Sequence, residues 1–331
     1  MISSAGVSQD ILTALYKSML KIRLAEEKIV EIYPTDAIQS PVHLCIGQEA
    51  ISAGVCLALE KTDHIYGTYR GHGIYIAKGG GMKPLFAELY AKETGCSRGK
   101  GGSMHVVAPE VGVMGCSAIV ASTIPLAVGD ALAAKMRGSS RLNVAFFGDG
   151  AVEEGVFFES LNFAALKNLP VIFVCENNNY AVHSRVSDRR KQLEIFRLGE
   201  SLGVPGSRHD GNDAPSVYSA MKQAVEKTRQ GGVPLLLEFM TYRLYEHVGV
   251  AMDHEVAYRE KDKLDQALKT DPLLRAEALL KKSYGVSNAD FDQWKTAVSR
   301  EIGEAVKFAE ESSFPSSDQL YEDLFEVKPW G

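Results

Sequence analysis

The sequence predicts an α/β protein built on a doubly wound, mainly parallel sheet, with a helical C-terminal extension. Two runs, 142–147 and 171–175, are short, apolar and rich in Val and Phe, as strands buried on both faces of a parallel sheet are. The helical segment 154–167 between them completes a βαβ crossover. A further buried strand is predicted at 234–240, and the pattern becomes helical after Pro272.

The other elements follow from periodicity and from turn-forming residues. Apolar positions at helical spacing predict a helix over 8–32, which Pro34 stops. The glycine-rich segments 76–82 and 95–103 predict loops. Further predictions are short helices at 47–59 and 83–91, a buried helix at 119–137, a turn at 210–213, a helix at 215–230 and an amphipathic helix at 289–311. We therefore divide the chain into an α/β domain with an N-terminal helical arm, 1–270, and a helical extension packed on it, 271–331.

Composition sets bounds on the class of protein. The chain has 331 residues, 45% of them hydrophobic, which suits one large domain with appendages. Its net charge of −6, with acids and bases interspersed, indicates neither a nucleic acid nor an anionic membrane as partner. No apolar run approaches the roughly 18 residues of a membrane span, and the first thirty residues do not read as a targeting segment. Five cysteines without metal-binding spacing indicate a reducing compartment, so we expect a cytoplasmic protein.

Polar clusters follow two of the predicted strands at the point where each strand ends. Gly148-Asp149-Gly150 comes directly after the first run, and Glu176-Asn177-Asn178 follows the second. Open α/β sheets place their ligands beyond the carboxyl ends of strands. Carboxylate and amide oxygens suit Mg²⁺, which completes its shell with water and ligand phosphates. The residue types favour a magnesium–diphosphate clamp, although asparagine clusters are also ordinary turn residues and chemistry alone does not choose among 177–179.

The chain has the motif GDG, followed after twenty-six residues by NN. This pattern is similar to the fingerprint of thiamine diphosphate enzymes. The surrounding text resembles the alpha subunit of the heteromeric 2-oxo acid dehydrogenase decarboxylase component, the pyruvate, branched-chain and acetoin group. Further segments agree in the same order: HLCIGQEA (43–50), TDHIYGTYRGHG (62–73), RGKGGSMH (98–105) and TYRLYEHVG (241–249). The resemblance covers roughly residues 10 to 260. It implies the thiamine diphosphate-binding fold.

The same resemblance implies thiamine diphosphate and Mg²⁺ as cofactors. Asp149 and Asn178 are the implied side-chain metal ligands, with the main-chain carbonyl of Tyr180 as a third. An arginine fork such as that of Arg70 matches phosphate oxygens, although a single arginine in a turn is more often a surface residue. The implied cofactor-binding residues are Tyr69, Arg70, Ala118, Val120, Asp149, Gly150, Ala151, Asn178, Arg243 and His247. The family often has glycine at the positions of Ala118 and Ala121.

Histidines in the matched motifs are the candidate catalytic residues. Histidine suits proton transfer to a substrate oxygen because its pKa lies near working pH. We expect His247 to be catalytic first, His105 second and His72 third, although a single histidine in a turn is more often structural. Glu246 precedes His247 and could raise its pKa or repel an anionic substrate. Val248 stands where mitochondrial relatives carry a phosphorylated serine.

The function implied is oxidative decarboxylation of a 2-oxo acid, pyruvate before others, with transfer of the acyl group to a lipoyl-bearing acyltransferase component. The chain would be the alpha subunit of an α2β2 heterotetramer, since in this branch the glutamate that activates the cofactor comes from the beta subunit. We expect Glu49, which could be mistaken for it, only to start a helix. Alternatives are an acetoin dehydrogenase, a transketolase-like carboligating subunit without lipoate, or a silent binding subunit. A nicotinamide enzyme is disfavoured because no G-x-G-x-x-G opens a helix after a strand.

Overall fold

Parallel strands form the central sheet in a computed structural model that describes residues 6–256 and 261–323. Within those ranges the sheet has six strands in the order β2-β1-β3-β4-β8-β7, and every pairing is parallel. A separate antiparallel hairpin contains β5 and β6. This confirms the predicted fold class. The strands are β1 (His64–Thr68), β2 (Val113–Ser117), β3 (Asn143–Gly148), β4 (Val171–Asn177), β5 (Tyr180–Ala181), β6 (Ser184–Arg185), β7 (Gly206–Asp210) and β8 (Leu235–Met240).

The helices match the predicted ones to within a few residues, and the described part of the chain adds several short ones. Glu49 begins a helix, as expected. Among the described residues, no helix is both long and apolar enough to span a bilayer. The helices are α1 (Gln9–Ile32), α2 (Glu49–Leu57), α3 (His72–Lys78), α4 (Met82–Leu89), α5 (Thr123–Met136), α6 (Gly155–Lys167), α7 (Val186–Arg189), α8 (Phe196–Glu200), α9 (Ala214–Gly231), α10 (Lys261–Lys269), α11 (Pro272–Tyr284) and α12 (Asn288–Glu311).

Alternation along the strands explains why helices cover both faces of the sheet. In β3, Val144 and Phe146 point into one hydrophobic core, while Ala145 and Phe147 point into the other. Helices α2, α3 and α9 complete the first core, and α5 and α6 complete the second. Side chains buried on both sides produce the continuous apolar runs seen in the sequence.

The order of the strands fixes where a ligand can bind. From β1 the chain passes through α3, on one face, to β2; from β3 it passes through α6, on the opposite face, to β4. The connections therefore diverge between β1 and β3. Such a switch point leaves a crevice at the carboxyl ends of the two strands. The segments after β1 and β3 begin with Tyr69 and Asp149.

The C-terminal helices pack against the first helix of the chain. Leu273 of α11 and Phe291 of α12 share a buried cluster with Leu12 of α1. Arg23 of α1 donates to Asp271 at the start of α11, at 2.8 Å. The predicted boundary at residue 270 falls between α10 and α11, while 1–5 and 324–331 lie outside the described residues. The division into two domains stays a prediction.

One local prediction differs from the structure, and three strands were missed. Residues 76–82 are not all loop, because α3 runs to Lys78 and buries Ile74 and Ile76; its end comes only at Gly79, which has φ +103°. The strands β1, β2 and β7 were not predicted. They are short, and β2 and β7 are edge strands without a continuous apolar run.

Candidate active site

A cleft of about 370 Å³ opens at the carboxyl ends of the strands. Segments that follow β1, β2, β3, β4 and β8 line it, together with the loop that precedes α2. Every predicted cofactor-binding residue and every predicted metal ligand lies in this lining, whereas His72 and His105 do not. The lining residues among those predicted are Tyr69, Arg70, Ala118, Val120, Asp149, Gly150, Ala151, Asn178, Tyr180, Arg243 and His247.

The two candidate metal ligands are adjacent and buried. Asp149 is 1% exposed, and a main-chain hydrogen bond from Asn178 to its carboxylate joins the two residues. Burial raises the pKa of Asp149, and the Arg189 guanidinium opposes that rise. Among the described residues, no group of three or more His, Cys, Asp or Glu side chains could hold a metal. A carboxylate, an amide oxygen and a main-chain carbonyl remain, a donor set that fits Mg²⁺ when a ligand adds phosphate oxygens.

Arg189 covers the Asp149 carboxylate. Its guanidinium donates to that carboxylate, to the main-chain carbonyl of Asp149 at 3.3 Å and to Glu153 at 3.0 Å. Arg189 lies in α7, only a few residues after the hairpin that begins with Tyr180. Arg189 contacts Oδ2 of this carboxylate, so it competes with a divalent cation for that oxygen. No pattern in the sequence indicated the pairing, since forty positions separate the partners.

Two buried arginines supply positive charge to the cleft. Arg70 donates to the main-chain carbonyl of Leu44 and, at 3.3 Å, to that of His247. Arg243 is fully buried and donates to Asp253 at 3.2 Å. Burial, followed by the charge of Arg243, lowers the pKa of Arg70. An anionic ligand such as a diphosphate would relieve this repulsion.

His247 is neutral in this environment. Burial is the main cause that lowers its pKa to about 2, and the charges of Arg70 and Arg243 add to it. Arg243 Nη1 lies 3.2 Å from His247 Nδ1. Because a guanidinium can only donate, Nδ1 accepts and the imidazole proton is on Nε2. His247 is therefore equipped to donate a hydrogen bond to a ligand oxygen.

The expectation that Glu246 raises the pKa of His247 is wrong. The pKa is lowered, and the groups that shift it are cationic or imidazole side chains. Glu246 accepts instead from the main-chain N–H of Ala251 in its own loop, at 3.1 Å. Burial and the nearby arginines outweigh the neighbour in the sequence.

His72 and His105 lie outside the cleft lining. His72 is fully buried, with Nδ1 3.1 Å from Glu26 and Nε2 2.8 Å from Ser103. The Nδ1 of His105 lies 3.2 Å from the carbonyl oxygen of Cys116. These contacts favour a role in holding the loop 97–105 for both residues. Their catalytic role stays a prediction with less support than that of His247.

His43 was not among the predicted site residues, but it lines the cleft. Its ring centroid lies 4.4 Å from that of Tyr69 and 5.3 Å from that of His247. Burial, helped by Arg70, lowers its pKa to about 3, and its Nδ1 has no hydrogen-bond partner among the described residues. The motif HLCIGQEA contains His43, so the matched segment itself was the available signal.

Glu176 is the second residue that sequence reasoning passed over. It ends the apolar run of β4, is 7% exposed and lines the cleft. Burial raises its pKa to about 7, and the charge of Arg70 only partly opposes this. Its carboxyl group therefore titrates near neutral pH. A lone acid at the end of an otherwise apolar strand was the signal in the sequence.

The raised pKa of Glu176 leads to a prediction about the stability of the fold. A carboxyl group whose pKa is higher in the folded state stabilises the fold at low pH, and that contribution is lost as pH rises through the folded pKa. Between pH 4.5 and 8, the free energy of unfolding of the unmodified chain should fall by about 3 kcal/mol relative to Glu176→Gln. Urea unfolding of both proteins across this range measures the difference. Curves that stay parallel, as expected for the exposed control Glu159→Gln, would contradict the raised pKa.

Ala118 and Ala121 stand at positions where the family often has glycine, and both line the cleft. Ala121 lines the cleft with φ +63°, in the left-handed region that glycine adopts without strain. Ala118 also lines the cleft, so its main chain is available to a ligand. Backbone strain beside a ligand cleft is a frequent feature of functional sites.

The fold and the cleft define an α/β enzyme whose ligand cleft lies beyond the carboxyl ends of parallel strands. The sequence model of the dehydrogenase E1 component family matches residues 16–317. The chain belongs to this family, which confirms the predicted class, the alpha subunit of a 2-oxo acid dehydrogenase. Membership implies thiamine diphosphate as cofactor.

Curated relatives match almost the whole chain. The alpha subunit of acetoin:2,6-dichlorophenolindophenol oxidoreductase from Bacillus subtilis (strain 168) is 38% identical over 314 residues, 94% of this chain and 92% of that protein. The pyruvate dehydrogenase E1 component subunit alpha of Rickettsia bellii (strain RML369-C) is 35% identical over 310 residues, 94% of each chain. That of Rhizobium meliloti (strain 1021) is 37% identical over 310 residues, 93% of this chain and 88% of that protein.

Proposed function

We propose that this chain is the alpha subunit of a thiamine diphosphate- and Mg²⁺-dependent enzyme that decarboxylates a 2-oxo acid, pyruvate first, and transfers the acyl group to a lipoyl group. The observation that carries the proposal is the convergence of Arg70, Asp149, Asn178 and His247, from four strand ends, on one cleft. Bound thiamine diphosphate would supply a carbanion that adds to the substrate carbonyl and an electron sink for decarboxylation.

Each lining group has a task that its chemistry suits. Arg70 and Arg243 provide fixed positive charge for a diphosphate or a substrate carboxylate. Asp149, Asn178 and the carbonyl of Tyr180 would hold the cation. Neutral His247 would donate from Nε2 to the substrate oxygen and so favour charge that develops there.

The exposed rim of the cleft supports a beta partner. Ile119 is 71% exposed and Val120 45% exposed, and both line the cleft. Leu126, on the helix that follows, is 57% exposed. Apolar side chains clustered at the mouth of a ligand cleft are typical of an interaction surface. We propose that the beta subunit covers this rim, adds the activating glutamate and completes an α2β2 assembly.

The test of this function is reconstitution with the beta chain. With thiamine diphosphate, Mg²⁺ and a lipoyl domain, pyruvate should acylate the lipoyl group, and the alpha chain alone should not. Mass spectrometry of the lipoyl domain detects the acyl group. Acylation that proceeds without thiamine diphosphate, or turnover by the alpha chain alone, would contradict the proposal.

Acetoin is the second candidate substrate. The observation that favours it is the 38% identity to a relative named as an acetoin oxidoreductase alpha subunit. The same reconstituted enzyme should then reduce 2,6-dichlorophenolindophenol with acetoin faster than with pyruvate. Equal or lower rates with acetoin would leave pyruvate as the substrate. A complex that uses neither compound would overturn both candidates.

We also propose a cytoplasmic location. All five cysteines are free thiols, and four of them are buried. Thiols that persist without pairing suit a reducing compartment.

A further inference from the structure

Gln48 touches one of the candidate metal ligands. It is 1% exposed and lines the cleft, and its Oε1 accepts a hydrogen bond from Asn178 Nδ2 at 3.0 Å. Its own Nε2 has no hydrogen-bond partner among the described residues. A buried donor without an acceptor is costly, so this amide points to a ligand that is bound beside it.

The orientation of both amides follows from a main-chain donor. The N–H of Tyr180 lies 3.2 Å from Asn178 Oδ1, and a peptide N–H can only donate. Oδ1 of Asn178 must therefore face Tyr180, and Nδ2 must face Gln48. Because Nδ2 donates, the atom of Gln48 that faces it must be the acceptor Oε1. The chain of contacts fixes Oδ1 as the atom of Asn178 that could bind a cation, because Nδ2 can only donate.

Gln48 itself is held firmly. Its N–H donates to the carbonyl of Cys45 at 2.8 Å, at the start of α2. The preceding Gly47 has φ +97°, and a Cβ there would lie 2.6 Å from the carbonyl oxygen of Tyr242. Glu49 accepts from the N–H of Gly47 at 3.0 Å. The segment therefore cannot move away from Asn178 without breaking these contacts.

We propose that Gln48 is a positioning residue of the cation site: it locks the Asn178 amide with its oxygen toward the cation. This inference rests on the proposed function, because it assumes that a cation binds with thiamine diphosphate at Asp149 and Asn178. Removal of a residue that hydrogen-bonds to a metal ligand and orients it typically lowers metal affinity 10- to 100-fold.

The experiment measures Mn²⁺ binding in the assembled alpha–beta enzyme with thiamine diphosphate and without substrate. The electron paramagnetic resonance signal of free Mn²⁺ gives the affinity directly. Gln48→Met, which is close in size and cannot accept from Asn178, should weaken Mn²⁺ binding about 10- to 100-fold. Gln48→Glu keeps an acceptor oxygen for Asn178 at the same distance along the side chain and should therefore bind Mn²⁺ more tightly than Gln48→Met does. Gln223→Met, an exposed change on α9, should have no effect.

The outcomes separate this inference from the function on which it rests. If the unmodified enzyme fails to bind Mn²⁺ with thiamine diphosphate, the proposed function is wrong. If it binds and Gln48→Met binds equally well, only the positioning role is wrong. Equal loss in Gln48→Glu and in Gln48→Met would also overturn it, because an acceptor oxygen would then make no difference. Should Gln48→Met fold poorly, Gln48→Asn, which is one methylene too short, should show the same loss.

Discussion

Asp149→Asn should weaken the Mg²⁺-dependent binding of thiamine diphosphate by more than about 100-fold, beyond the range typical of groups that only orient a ligand. The substitution removes the negative charge from a site whose donors are otherwise neutral oxygens. It keeps the size of the side chain, and Arg189 retains Glu153 as a partner. Isothermal titration calorimetry of the assembled enzyme, with and without Mg²⁺, measures the effect.

The matched control is Glu153→Gln. This change removes the other carboxylate that Arg189 contacts, but it does not touch the candidate metal ligands. Cofactor affinity should therefore stay within a few-fold of the original value, or rise if Arg189 is released toward solvent. If Asp149→Asn and the unmodified enzyme bind thiamine diphosphate with equal Mg²⁺-dependent affinity, Asp149 is not a ligand of the cation.

His247→Ala should lower turnover about 10²- to 10⁴-fold, the usual contribution of a positioned histidine in proton transfer. Cofactor affinity should change little, because Arg70 and the metal ligands remain in place. Single-turnover measurement of lipoyl acylation separates the chemical step from binding. The structure adds that the imidazole is neutral in the free protein, so an acid limb near pH 6.5 should not arise from His247.

His209→Ala is the control for this experiment. His209 lies in the edge strand β7, where its Nε2 is 2.8 Å from Ser207, and it does not line the cleft. Its removal should leave turnover unchanged. Full activity of His247→Ala would show that His247 is not catalytic, although it lines the cleft.

The buried sheet and the main lining of the cleft could be predicted from sequence because they depend on local pattern. The strands β3, β4 and β8 consist mainly of apolar residues, and the polar residues at the ends of β3 and β4 stand where strands of a parallel sheet end. The strand β7, Gly206–Asp210, carries no such run because it pairs at the edge of the sheet. Periodicity has no signal for a short polar strand of this kind.

The electrostatics of the site could not be predicted, because they depend on residues brought together by the fold. Arg189 reaches Asp149 from a helix forty positions later. The low pKa of His247 comes from burial and from Arg70, which belongs to a different strand end. Glu246, the neighbour in sequence, is not among the main causes of this shift. The sequence identified many of the groups that line the cleft, and the tertiary structure decided their charge.

The packing of α11 and α12 on α1 has a consequence for synthesis of the chain. The ribosome makes the apolar face of α1, with Leu12 and Leu15, long before it makes Leu280 and Phe291, which share the same buried cluster. The ion pair between Lys21 of α1 and Glu301 of α12 also joins residues that are far apart in the sequence. Folding units form as they emerge, at about 5–20 residues per second. Helix α1 of the nascent protein must therefore remain incompletely buried until α11 and α12 have left the exit tunnel.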